Sequence, residues 1–287
     1  MSHPPVVLCC SGHDPTGGAG LQADIETLRA LGCHPATVIT ALTAQDTRNV
    51  LRVYPQDPER FLTQARLVMA DLPIAVIKIG LLGSAAMAEA VARLAGEAGA
   101  VPVVLDPVLA AGGGQALATA LLQQVIVRQL MPRVTVVTPN TPEARSLTGQ
   151  TELDACAAAL LAAGCPNVLL TGTHEEDTPE VINRWYDAAG RTDSAWPRLP
   201  GSYHGSGCTL AAAVAGGLAQ GLPMAKAIAE AQRYTWIALR EAYAAGRGQW
   251  LPRRLPPDGR TPPKPGYADT DRSTGFDLSP PTGGTWP

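Results

Sequence analysis

The sequence predicts an α/β protein built on a central, mostly parallel, doubly wound sheet. Three observations carry that expectation. Val6–Cys10 is a short, continuously apolar run, the pattern of a strand covered on both faces, and Ala75–Ile79, Val101–Leu105, Val134–Val137 and Val168–Leu170 read as further strands. Stretches of helical spacing lie between them, with apolar residues at 21, 25, 28 and 31 in one and a helix over Ala85–Glu97 in another. Polar residues follow the carboxyl ends of the runs, where an open α/β sheet forms its ligand crevice, and the short connections favour right-handed crossovers.

Taken in order, Val6–Cys10 is ended by Ser11-Gly12, and a glycine-rich loop, His13-Asp14-Pro15-Thr16-Gly17-Gly18-Ala19-Gly20, leads into a helix over Leu21–Leu31. Strand, glycine loop and helix suit either a small polar ligand or a tight turn. The loop is neither a G-x-G-x-x-G dinucleotide fingerprint nor a Walker loop, because no Gly-Lys-Ser/Thr follows. Pro35–Leu42 is β-rich and closes on the strand end Thr43-Ala44-Gln45-Asp46-Thr47. Gln45 offers a donor and an acceptor from one amide, as the edge of an aminopyrimidine would require, and it equally fits a solvent-facing side chain.

Asp106, Asn140, Glu143 and Thr171 all fall near predicted strand ends. Asp106 and Glu143 carry hard oxygen ligands of the kind Mg²⁺ takes, usually through waters, although each alone also fits a helix cap or a solvated charge. Val181–Asp187 and a partner near Ser194–Leu199 predict an antiparallel hairpin across Ala188-Ala189-Gly190-Arg191. Two helices are expected next, over Thr209–Gln220 and Met224–Ala245. From about Leu255 the chain is rich in Pro, Gly, Thr and Asp, so one domain over residues 1–255 and a disordered tail over 256–287 are expected.

His204-Gly205-Ser206-Gly207-Cys208-Thr209-Leu210 stands at the start of the first of those helices. Its glycines let backbone N–H groups converge where a Cβ would block them, and the helix N-terminus adds partial positive charge, which suits an oxyanion or a phosphate. Cys208 falls in the first turn, where a thiol pKa of about 8.5 is expected to drop. That makes it a candidate reactive or proton-accepting group, the alternative being a small buried filler behind a capping turn.

Composition narrows the function classes. With 287 residues, 46% of them apolar, the chain can bury a full core. A formal charge of −3 offers no basic surface for nucleic acid. Lysine occurs at 78, 226 and 264, so an anion must be held by helix ends, Mg²⁺ or arginine. The cysteines at 9, 10, 33, 156, 165 and 208 form no C-x-x-C pair and the histidines show no zinc spacing, which fits a reducing cytoplasm. Val6–Cys10 is too short for a signal peptide and no apolar run nears the roughly 20 residues of a membrane span, so a soluble protein is expected.

In this order the pieces resemble the hydroxymethylpyrimidine/phosphomethylpyrimidine kinases of thiamin biosynthesis, within the ribokinase-like superfamily. The matching stretches are residues 11–24, 38–47, 78–82 (Lys-Ile-Gly-Leu-Leu), 105–108 (Leu-Asp-Pro-Val), 138–144 (Thr-Pro-Asn-Thr-Pro-Glu-Ala) and 204–210, within roughly residues 5–250. The resemblance implies a three-layer α/β/α fold and the use of ATP and Mg²⁺. It implies that Gln45 binds the aminopyrimidine ring, with Gly12, Ala19 and Thr43 lining the pocket and Asp24 among the substrate residues. Gly205, Ser206 and Gly207 would form the anion hole, Cys208 would occupy the position where the wider superfamily has an aspartate base, and Asp106, Asn140 and Glu143 would organise Mg²⁺ and its waters. A homodimer is implied as well.

Two segments depart from the family pattern. Its Lys-Gly-Gly-His reads Thr171-Gly172-Thr173-His174 here, and a segment resembling Ala-Lys-Ser-Gly-Asp reads Ala111-Gly112-Gly113-Gly114-Gln115. Two lysines and an acid are thus replaced. Pyridoxal kinase activity and a non-catalytic pyrimidine-binding role are the alternatives. The Thr-Ala-Gln-Asp-Thr setting of Gln45 favours the pyrimidine, and the retained Asp106, Asn140, Glu143 and anion-hole residues favour catalysis.

Overall fold

The chain runs β1 (Val6–His13), α1 (Gly20–Ala30), β2 (His34–Gln45), β3 (Val50–Pro55), α2 (Pro58–Asp71), β4 (Ile74–Ile79), α3 (Ala85–Glu97), β5 (Val103–Leu105), α4 (Ala120–Val125), β6 (Val136–Val137), α5 (Thr141–Thr148), α6 (Leu153–Ala162), β7 (Val168–Leu170), β8 (Glu180–Asp187), β9 (Gly190–Pro197), α7 (Ser206–Ala219) and α8 (Met224–Arg240). The computed structural model describes residues 3–110, 117–175 and 178–255. The expected departure at Ala111–Gln115 and the expected tail over 256–287 lie outside them.

The strands form one nine-stranded sheet in the order β3-β2-β1-β4-β5-β6-β7-β8-β9. Every pair from β2 through β1, β4, β5 and β6 to β7 is parallel, and β3, β8 and β9 add antiparallel at the two edges. Helices cover both faces, as the continuous apolar run of β1 required. Val6, Leu8 and Cys10 of β1 pack in the layer that holds α2 to α6, while Val7 and Cys9 face α1, α7 and α8. Neither face of β1 meets water, so its sequence does not alternate.

The α7 helix owes its position to small residues. Ala211, Ala212, Ala213, Val214 and Ala215 are all buried. Without long side chains the helix lies close to the sheet between α1 and α8, and its N-terminus is carried to the carboxyl ends of the strands. The chain passes from β1 to β2 on one side and later to β4 on the other, so the strand order reverses between β1 and β4. A crevice at that point is the usual ligand site of an open α/β sheet.

Some boundaries differ from the sequence expectation. The helix expected to run to Ala245 stops at Arg240, and Tyr243 instead bridges to Leu251 as the chain doubles back. The polar end of β2 is a true strand through Gln45 because β3, which has no strong periodicity, pairs with it from Ala41 to Gln45. The helices α2, α4, α5 and α6 carry no expectation from the sequence reading. The expected hairpin at Val181–Asp187 is present as β8 and β9.

Candidate active site

Two helix N-termini meet above the β1–β4 reversal. Ala19 is the N-cap of α1 and Gly205 the N-cap of α7. Gly205 has φ +80°, and a Cβ on it would lie 1.9 Å from the Gly18 carbonyl oxygen, so glycine is required both by the left-handed backbone and by contact between the two loops. The α7 ladder begins with the Thr209 N–H donating to Gly205 O at 2.9 Å. The Ser206, Gly207 and Cys208 amides precede it and have no intrahelical acceptor. The Gly20 N–H points at the Cys208 sulfur, so the first turns of α1 and α7 face one another.

Cys208 is buried, and this reverses the expected drop in its pKa. Burial pushes the thiol well above its ordinary value and the neighbouring Asp106 carboxylate pushes the same way, with Lys78 opposing. The helix N-terminus is present as expected, but desolvation outweighs it. Cys208 is a hydrogen-bonding neighbour of Asp106, and in the free protein it is a thiol rather than a thiolate.

Asp106 follows the last residue of β5, buried, with its N–H donating to Ile79 O at 2.8 Å. Its Oδ1 would lie 3.7 Å from a Cβ placed on Gly207. Beyond it, Asn140 and Glu143 form a capping box at the start of α5. The Glu143 N–H donates to Asn140 Oδ1 and the Asn140 N–H to Glu143 Oε2, both at 2.9 Å, while the Leu109 N–H reaches Glu143 Oε1 at 3.4 Å. Cap and candidate metal residue are therefore the same groups.

Burial, with Asp106 next, pushes Glu143 up to about 8. Asp106 Oδ2 is buried without a hydrogen-bond partner. An unpartnered carboxylate oxygen beside a second buried carboxyl is a donor set that fits a hard cation. Among the described residues no group of three or more His, Cys, Asp or Glu is arranged to hold a metal directly, so the fit is to a hydrated ion such as Mg²⁺.

Gln45 projects beyond the end of β1, whose last residue, His13, pairs with Leu42. Thr43 Oγ1 donates to His13 O at 2.9 Å, tying this extension to the glycine loop. Gln45 Nε2 stands 3.4 Å from His204 Nε2, and the same His204 nitrogen is 2.8 Å from Asp14 Oδ2. Asp14 also accepts from the Thr16 and Ala19 N–H groups at 2.8 Å. At Gly12, near the end of β1, a Cβ would meet Leu81 at 2.9 Å. Gln45, Thr43, Gly12 and Ala19 thus gather around one loop.

Although burial would raise the Asp14 carboxyl, the His204 hydrogen bond and the Thr16 amide hold it well below the usual carboxylate range. A depressed folded-state pKa contributes stability above the unfolded value of about 3.9 that disappears as pH falls through the folded one. Asp14→Asn is therefore expected to lower stability by about 2 kcal/mol at pH 7. Denaturant unfolding at pH 7 and pH 3 checks this, since an equal deficit at both would contradict it.

Asp24 is placed differently from the rest. Its side chain is fully buried and ion-paired with Lys78 at 2.8 Å, beneath the two helix ends rather than on the pocket wall. It can reach a ligand only by breaking that pair. Lys78 sits in the β4 run, and its charge in an otherwise apolar strand is the signal that could have singled it out. His204, Asp14 and Arg254 were likewise not singled out individually; Arg254 is buried against both glycine loops, and nothing in its local sequence marks it.

Around the departing Thr171–His174 segment, Arg184 and Arg198 are the nearby cations. Arg184 is committed to Glu175, with one contact at 2.9 Å. Arg198 donates to the carbonyls of Thr173, Glu175 and Thr178 at 3.0, 3.2 and 2.8 Å.

A mostly parallel sheet between two helical layers, with two glycine loops meeting at helix N-termini above its strand-order reversal, defines the ribokinase-like class of small-molecule kinases. In fold the chain is similar to the pyridoxal kinase of Bacillus subtilis solved with ADP, at TM-score 0.80 and 27% identity over 88% of this chain and 98% of that one. The phosphomethylpyrimidine kinase family model matches residues 14–252, and the chain belongs to that family. It is 38% identical over 251 residues to a hydroxymethylpyrimidine/phosphomethylpyrimidine kinase of Streptomyces coelicolor, covering 85% of this chain and 92% of the relative. It is 40% identical over 250 residues to a thiamine biosynthesis bifunctional protein of Geobacter sulfurreducens, covering 84% of this chain. The chain spans half the length of that bifunctional relative.

Proposed function

We propose that the protein transfers the γ-phosphoryl group of ATP to 4-amino-5-hydroxymethyl-2-methylpyrimidine, to its monophosphate, or to both, in thiamin biosynthesis. The carrying observation is the convergence of the α1 and α7 N-termini on Cys208, with Asp106 facing Gly207. Free amides at a helix start, reinforced by a second helix end, receive phosphate oxygens. Gln45 reads the ring from the far side of the glycine loop, within 3.4 Å of His204.

Asp106 and Glu143, with Asn140 beside them, would hold Mg²⁺ through waters. When bound, that ion neutralises charge on the phosphates. The chain's own residues position the acceptor hydroxyl and screen the transferring group, which suffices for most of the rate in a loose transition state. Cys208, kept as a thiol, is not the base; it orients the hydroxyl side of the site, and the hydroxyl proton leaves late to solvent. Cys208→Ala is expected to lower kcat about 10- to 100-fold while shifting pyrimidine affinity by less than about threefold. Unchanged turnover would remove Cys208 from the mechanism.

The dimer, the cytoplasmic location and a single kinase unit over residues 1–255 belong to the same reading. Exposed Leu42, Leu51 and Tyr54 on the β2–β3 sheet edge support self-association, and six unpaired cysteines support a reducing compartment. Among the described residues no helix is long and apolar enough to cross a membrane.

The test offers Mg-ATP with the hydroxymethylpyrimidine, its monophosphate and pyridoxal in parallel and reads product mass. Diphosphate from the monophosphate is the expected result. Transfer to pyridoxal alone would move the protein to the second reading, which the pyridoxal kinase neighbour supports. Binding of pyrimidine without transfer to any of the three would leave a non-catalytic protein.

A further inference from the structure

The C-terminal stretch that follows α8 returns to the site and touches three of its loops. The Gln249 N–H donates to Thr47 O at 2.8 Å, just past Gln45. Trp250 exchanges backbone hydrogen bonds with Ser202 and His204, each at 2.9 Å. Tyr234 Oη donates to Arg254 O at 2.7 Å and the Arg253 N–H to Ala238 O at 2.9 Å, so α8 fixes the stretch where Arg254 leaves it.

The Arg254 side chain is 1% exposed. Its donors are divided between the β1–α1 glycine loop, Glu26 of α1 and the first turn of α7. Nη2 donates to Gly18 O, Nη1 to Gly17 O at 3.4 Å and to Glu26 Oε2 at 3.1 Å, and Nε to Thr209 Oγ1 at 2.8 Å. Thr209 Oγ1 in turn donates to Gly205 O at 2.8 Å, the carbonyl of the left-handed residue that starts α7. A Cβ on Gly205 would stand 2.8 Å from Arg254 Nη2 and closer still to Gly18 O, so guanidinium, glycine and carbonyl occupy one contact point.

We propose that Arg254 is a positioning residue that locks the β1–α1 loop and the N-terminus of α7 into a single phosphate-receiving surface. One planar fork reaches acceptors on both loops at once, and a lysine ammonium on a flexible stem has no such pair of directions. The consequence for the site follows from its geometry. The α1 and α7 amides that face Cys208 converge only while Gly18 and Gly205 stay in contact, and a displacement of about 1 Å in such a site is worth about 100-fold in rate. Arg254 does this without touching the substrate, so its loss acts on turnover more than on affinity. The inference deepens the kinase reading and rests on it for its rate prediction.

The test compares Arg254→Ala and Arg254→Lys with Glu26→Gln, which removes the charge partner and leaves the loop contacts. Amide hydrogen exchange at residues 17–20 and 205–209 is measured together with kcat, KM for the pyrimidine and Tm. Arg254→Ala is expected to speed exchange in both segments together and to lower kcat about 100-fold, with KM within about threefold. Methylguanidinium should restore part of that turnover, Arg254→Lys should not recover it, and Glu26→Gln should leave kcat near the wild-type value. Unchanged exchange in either segment, or a fall in kcat matched by an equal loss of folded protein and unmoved by methylguanidinium, overturns the proposal. If Arg254→Ala does not fold, Thr209→Val breaks the same link from Nε to Gly205, and unaltered kcat there overturns it equally. A wild-type protein that transfers no phosphate sinks the kinase reading instead, while the exchange measurement still decides whether Arg254 joins the loops.

Discussion

Lys78→Met lowers stability by about 3–5 kcal/mol, a large fraction of what an average domain has. The expectation follows from where β4 places the residue. Lys78 shares the sheet face of Val76, beneath α1 and α7, and its Nζ is 2.8 Å from Asp24 Oδ1 with both side chains fully buried. A Cβ on Gly80 would approach that Nζ to 2.9 Å, so the strand leaves room for the ammonium by omitting a side chain. Burial alone would neutralise Lys78, but the Asp24 and Asp106 carboxyls hold it charged, with its pKa above the ordinary lysine value.

Remove the ammonium and Asp24 keeps its burial while losing the charge that opposes it, so its carboxyl, already pushed up by desolvation, rises further. The folded variant then binds a proton that the unfolded chain releases. Its stability therefore increases as pH falls from 8 towards 5, the reverse of what a depressed carboxylate such as Asp14 does. Adding Asp24→Leu to Lys78→Met is expected to recover most of the loss, because the uncompensated buried charge is gone. Denaturant unfolding of wild type, single and double variants at the two pH values measures this. A single variant with wild-type stability, or with no gain towards pH 5, would show that the pair does not hold α1 to the sheet.

How far the chain discloses this arrangement depends on the range of the interaction. The parallel strands were legible because burial on both faces keeps their runs largely apolar, and α3 was read at Ala85–Glu97 because its helical pattern is local. Asp106, Asn140 and Glu143 were legible as strand-end polar residues. Their duty as a capping box shows why the bland and the functional readings could not be separated from sequence: one geometry serves both. β3 was missed because an edge strand with exposed Leu51 and Tyr54 has no buried face to impose alternation. The pKa of Cys208 was misjudged because the helix N-terminus is a local feature, whereas the desolvation that overrides it comes from the packing of β1, β4 and β5 around it. Arg254 lies 45 residues from Thr209 and 236 from Gly18 in sequence, and no local pattern announces a contact of that span.

Gly207→Ala is expected to lower kcat about 100-fold while leaving stability unchanged or raising it by about 0.5–1 kcal/mol. Gly207 is the second residue of α7 and has no positive φ, so the backbone does not demand glycine there. A methyl group would find Asp106 Oδ1 at 3.7 Å, an ordinary contact, and the helix would gain a better former. Folding thus gives no reason for the residue. Its neighbour is the opposite case: at Gly205 a Cβ collides with Gly18 O, so a substitution there would disturb folding and activity together and could not separate them. What Gly207 keeps open is the gap between the first turn of α7 and the Asp106 carboxylate, where, on the proposed kinase reading, the transferring phosphoryl oxygens would pass between the free amides and that acid. Filling that gap leaves the free protein sound and obstructs the transition state, so Tm and kcat should part company in one variant. Pyrimidine affinity should stay close to wild type, because Gln45 and the glycine loop are untouched. Full turnover with an alanine at this position would mean that the phosphoryl group does not travel past Gly207, and the anion site would have to be sought elsewhere along the crevice.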